Sequence, residues 1–203
     1  MLAAVTPLEA VPNSEKDWHP GSDGFVLNLV NPSLYPIVYG RTVGKISGSR
    51  TPMILAPPEL AGLNPKFMSR RFQWLPSDFF VDSDGRVTLT SPYINNIHPA
   101  HHKELYSVIV AILQHALPMF ERVLSDLLRP LFPMRIKASS GYGFAPEDTV
   151  DCVRKYNGNL EVMNDRISLR GRTLQIIVRL TNVILTPERP EYPGGKWHVE
   201  GSL

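Results

Sequence analysis

Between Pro99 and Leu128 the apolar residues fall at three- and four-residue steps: Leu105, Val108, Ile109, Ile112, Leu113, Ala116, Leu117, Phe120, Val123, Leu124 and Leu127. No other feature restricts the fold so strongly. An apolar stripe of this period predicts an amphipathic α-helix over about 99–128 that must bury its face against something else. Pro99 suits the first turn. Pro118 has no N–H to give and is expected to kink or split the helix, and Pro130 and Pro133 close it. The stripe reads as core packing and not as a cofactor box.

The cover for that face is sought in β-prone runs. Phe79-Phe80-Val81 and Arg86-Val87-Thr88-Leu89-Thr90 flank Asp82-Ser83-Asp84-Gly85, which predicts a hairpin. The turn has a superficial likeness to a calcium loop. That frame would need an acid where Phe80 stands and a glutamate where Ser91 stands, so the turn reading prevails. Asn157-Gly158 predicts a second hairpin, between Val153–Tyr156 and Leu160–Met163. Leu174 to Leu185 is apolar on both faces at its centre, as in a central strand of a sandwich or jelly roll. Residues 17–50 predict short strands and turns, about 44–65 a long loop or insertion, and 1–16 a flexible lead. The fold class is α+β, with residues 17–203 as a single domain whose β-rich part is 153–203.

Composition narrows the function. The 203 residues are 43% hydrophobic and 20% charged, with a net charge of +2 and no block of like charges. Nucleic-acid binding is therefore not expected. Cys152 is alone, so neither an intrachain disulfide nor a C-x-x-C site is available. No uninterrupted apolar run approaches the roughly 20 residues of a bilayer span, and Met1–Pro7 lacks a signal-peptide pattern. The expectation is a cytoplasmic protein with no membrane partner.

Among candidate sites, His198-Val199-Glu200 leads. It follows the β-prone run and the Tyr192-Pro193-Gly194-Gly195 turn. On an extended chain His198 and Glu200 face one way and Trp197 and Val199 the other, giving two donors of a 2-His-1-carboxylate metal site. From the residues alone, a surface or hydrogen-bonded structural pair is the more ordinary reading of the same spacing. His102-Lys103-Glu104 has the same spacing, but on a helix residues two apart diverge by about 200° and cannot share an ion. Pro99 disfavours a helical His98/His102 pair, so His98, His101 and His102 are expected to cap the helix or bond loop carbonyls. His19 reads as a turn residue, and Cys152 as inert. Gly141-Tyr142-Gly143 is too little for a phosphate loop, and no Walker, G-x-S-x-G or G-x-G-x-x-G pattern occurs.

Several blocks resemble a fungal family of uncharacterised proteins, the domain-of-unknown-function 4246 family. They are Asp17-Trp18-His19-Pro20-Gly21-Ser22-Asp23, Leu34–Thr42, Phe72-Gln73-Trp74-Leu75-Pro76, Tyr93–Pro99, His102–Tyr106, Gly171–Val178 and Tyr192–Gly201. The resemblance covers nearly everything from Asp17 onward. Its H-x-E block is similar to that of iron/2-oxoglutarate oxygenases. It implies that His198 and Glu200 are the first two ligands to Fe(II), with 2-oxoglutarate as cosubstrate. It further implies that 153–203 holds the first strands of an incomplete double-stranded β-helix (jelly roll). In that pattern a distal histidine and a basic cosubstrate anchor come later, so the expectation is a truncated, inactive domain. The alternative is a non-catalytic protein-interaction module with a structural H-x-E pair, self-associating through an exposed sheet edge.

Overall fold

A computed structural model describes residues 2–45, 50–59, 69–128 and 165–195. In chain order they form α1 (Leu2–Glu9), β1 (Asp17–Trp18), β2 (Val26–Val30), β3 (Ile37–Val38), β4 (Val43–Gly44), β5 (Met53–Ile54), β6 (Phe72–Gln73), β7 (Ser77–Val81), β8 (Val87–Leu89), α2 (Lys103–Asp126), β9 (Arg172–Ile176) and β10 (Leu180–Val183). The architecture is α+β. Two three-stranded sheets, ordered β1-β2-β10 and β8-β7-β9, are accompanied by the two-stranded pairs β3-β6 and β4-β5. The described pairings are antiparallel.

The hairpin expected around Asp82–Gly85 is present, with Phe79 opposite Leu89 and Val81 opposite Val87. Its turn is built by local chemistry. Asp82 Oδ1 accepts the N–H groups of Asp84 and Arg86, each at 2.8 Å, and Gly85 takes φ +84°. Phe79 and Val81 point into the core, where they lose all solvent contact.

The amphipathic helix forms as α2 and runs without a break through Pro118. Its stripe divides in two. Leu105, Ile109, Leu113 and Leu117 are buried in a core shared with Leu27, Val30, Phe79, Val81 and Ile94, whereas Ile112, Phe120, Val123 and Leu127 are exposed. The sheets and α1 cover only part of the stripe, because α2 meets β8 and α1 on one side. By length and composition alone α2 could also cross a bilayer. Burial of its 105/109/113/117 row gives those apolar residues a role inside the fold.

Three expectations are corrected. The lead predicted over 1–16 includes helix α1, which packs on α2 and β2 with Ala4 and Val5 buried. Apolar contact outweighs the proline at position 7. The loop or insertion predicted over 44–65 includes Gly44 of β4 and the whole of β5, with Val43 opposite Ile54 and Gly44 opposite Met53. The single central strand predicted from Leu174 to Leu185 is two strands in different sheets: β9 pairs with β7, and β10 with β2. Leu174, Ile176, Val178, Leu180 and Ile184 are half-buried against the core, while Ile177, Val183 and Leu185 are exposed, so only one face is covered. The predicted Asn157-Gly158 hairpin, Gly141-Tyr142-Gly143 and Cys152 lie outside the described residues.

Ser125 and Glu121 hold the segment that leads into β9. The buried Ser125 hydroxyl accepts the Ile167 N–H at 2.8 Å and donates to the Glu121 carbonyl. Glu121 Oε1 accepts the Leu169 N–H at 2.7 Å. These bonds set the start of β9 beside the last turns of α2.

Candidate functional site

His198 and Glu200 lie outside the described residues. What the structure does describe is the segment that delivers the chain towards them. After β10, Thr186 and Arg189 close a tight turn: the Arg189 N–H donates to the Thr186 carbonyl at 2.9 Å and the Thr186 N–H donates back at 3.2 Å. Within it, the backbone N–H of Glu188 and then the Thr186 side chain bond the Glu188 carboxylate and hold its pKa below the usual carboxylate value.

The turn aims Arg189 back at the hairpin between β1 and β2. Its guanidinium lies 3.8 Å from the centroid of the Phe25 ring and donates to the Asp23 carbonyl at 2.9 Å. Tyr192 packs on the same ring, with centroids 5.5 Å apart. Phe25 is thus buried under a cation and a phenol, and the Ile184 N–H donates to the Phe25 carbonyl at 2.8 Å. Arg189 itself stays exposed, so the cation–π contact is of the weaker, solvated kind. Beyond Tyr192 the chain turns at Gly194, whose φ of +89° side chains rarely adopt. At Gly195 a Cβ would stand 3.3 Å from the Tyr192 hydroxyl oxygen. The segment is therefore tied to the β1–β2 hairpin as far as Tyr192.

That hairpin also holds His19, which opens the turn as expected: its N–H donates to the Val26 carbonyl at 2.8 Å and its carbonyl accepts the Ser22 hydroxyl at 2.7 Å. His98, His101 and His102 gather at the start of α2. His98 and His101 stack with centroids 4.1 Å apart, and His101 meets His102 edge-on at 6.4 Å. His102 occupies the N-cap position, yet its side chain makes no capping bond. The predicted capping role is therefore corrected: His98 Nδ1 accepts the Ala100 N–H at 3.3 Å, and His102 Nδ1 is buried without a partner. Burial first, and then the neighbouring His101 and His98 rings, lower the pKa of His102 from its ordinary 6.5. Among the described residues no group of three His, Cys, Asp or Glu side chains is arranged to hold a metal ion.

Sequence reasoning missed the Phe25–Arg189–Tyr192 clasp, because its members are separated by most of the chain. The only local signal was the turn chemistry around Gly21–Gly24 and Thr186–Arg189. No curated protein and no solved structure matches the chain. A family model does match, over residues 1–203, and on that match the chain belongs to DUF4246, described as proteins of unknown function.

Proposed function

We propose that His198 and Glu200 are two ligands of an iron site in an iron/2-oxoglutarate oxygenase-like domain, with the described antiparallel strands belonging to a double-stranded β-helix. The observation that carries this reading is the anchored approach. The chain is pinned by Arg189 and Tyr192 on Phe25, so an extended H-x-E segment would follow a fixed point with both donors on one side. The donor chemistry suits the metal, since one imidazole and one carboxylate form two thirds of a facial triad. When bound, iron with 2-oxoglutarate supplies oxidative hydroxylation of a C–H bond. The chain contributes the two donors, their orientation and exclusion of water. Oxygenase turnover would also need a third donor and a cosubstrate anchor.

The second reading is a non-catalytic interaction module. β9 and β10 each stand at the end of their sheet, with an unpaired outer edge among the described residues. Such an edge is a template for another chain, including a second copy. Anaerobic Co(II) titration followed by visible absorption separates the two readings. Saturable binding that weakens at least about tenfold in His198→Ala, roughly one pK unit of interaction, supports the metal site. Affinity unchanged by the substitution favours the interaction module.

A further inference from the structure

Three imidazoles crowd together at the start of α2. His98 Nδ1 needs its lone pair to accept the Ala100 N–H. His102 Nδ1 is shut off from solvent, and a proton placed there would find no acceptor. The stacked pair would bring two cations to 4.1 Å. All three rings sit at the positive end of a 24-residue helix, where cations are disfavoured. A cluster of imidazoles answers to the proton, since their charge changes near neutral pH.

We propose that this cluster is an acid-operated latch: proton uptake releases the first turn of α2 from the segment 94–98. The bonds at stake converge on His98, whose carbonyl accepts the N–H groups of His101 at 3.2 Å and His102 at 3.0 Å. The Leu105 N–H donates to the His102 carbonyl at 3.0 Å. The segment is joined to the β2–β3 loop by Asn95 to the Tyr35 carbonyl and Asn96 to the Asn31 carbonyl, so release there reaches that loop as well. The titratable groups around the cluster are Lys103 and Glu104 on the first turn of α2, Tyr93 and Tyr106 on either side, and Tyr35 across the loop. Tyr106 is committed: it accepts the Ile94 N–H at 3.0 Å and donates to the Ile97 carbonyl at 2.7 Å. Lys103 adds to the repulsion and Glu104 opposes it. The electrostatic influences that shift His102 come from His101 and His98.

Amide hydrogen exchange on the full chain at pH 7.5 and 5.5 tests this. Protection at His101, His102 and Leu105, corrected for intrinsic rates, is expected to fall about tenfold or more on acidification, with β7 unchanged. His102→Asn, a good N-cap, should retain protection at pH 5.5. Should that variant misfold by circular dichroism at pH 7.5, a His98→Asn/His101→Asn variant makes the same comparison. Constant protection in the native chain, or an equal loss in the variants, overturns the latch. So does protection at pH 7.5 that requires Zn(II) and is removed by a chelator, since the cluster would then be a metal site.

Discussion

Replacing Ser125 by alanine should cost this protein more than its size suggests. The side chain is 1% exposed and does two jobs: its hydroxyl donates to the Glu121 carbonyl and accepts the Ile167 N–H at 2.8 Å. Alanine fits the space but leaves the Ile167 N–H without its acceptor, and an orphaned buried donor costs about 1–3 kcal/mol. Ile167 is only half-buried, so water can reach its backbone in part and the loss should fall near 1.5 kcal/mol within that range. Urea unfolding followed by far-UV circular dichroism measures it, as a lower midpoint at unchanged slope. Ser125→Thr, which keeps the hydroxyl, is the control. Glu121→Ala removes the acceptor of the Leu169 N–H. Because both side chains hold the same short segment, the double variant should be non-additive by at least about 0.5 kcal/mol. A loss below about 0.5 kcal/mol for Ser125→Ala, within the range of ordinary surface changes, would refute the idea that this hydroxyl fixes the start of β9.

Other consequences can be checked with the same assay. The His102 pKa is lowered in the folded state, so the unfolded chain binds more protons below its ordinary 6.5. Its contribution is complete above that pH and is lost as pH falls from there towards the folded pKa; urea midpoints from pH 8 to 5 should fall less steeply in His102→Asn. Gly85→Ala forces a side chain into φ +84° with the Arg170 guanidinium 3.5 Å away, and should cost about 1–2 kcal/mol. Arg189→Ala uncovers Phe25 and loses the bond to the Asp23 carbonyl, so a loss of about 1–2 kcal/mol is expected, with partial recovery in Arg189→Lys.

What could be read from sequence was what short-range chemistry decides. The 79–90 hairpin was legible because Asp82 and Gly85 build their own turn, and α2 because its period repeats over many turns. The division of the 174–185 run was not, since it depends on β7 and β2, which lie far back in the chain. Helix α1 was illegible for a related reason: Ala4 and Val5 gain their burial from tertiary neighbours that no local pattern announces. For the site, the sequence offers the spacing of His198 and Glu200, which lie outside the described residues. The clasp on Phe25 that leads to it was not legible, because Phe25, Arg189 and Tyr192 meet only once β10 has joined β2.

The handover from β9 to β10 has an arithmetic consequence. One stretch of chain leaves the first sheet at Ile176 and joins the second at Leu180, already with a register shift between Leu180 and Thr181. Since neighbouring residues of an extended chain look in opposite directions, the parity of this bridge decides which way everything after it faces. One residue inserted near Val178 would turn β10 inside out and swing Arg189 away from Phe25, whereas a pair of residues would leave both facing as they do now.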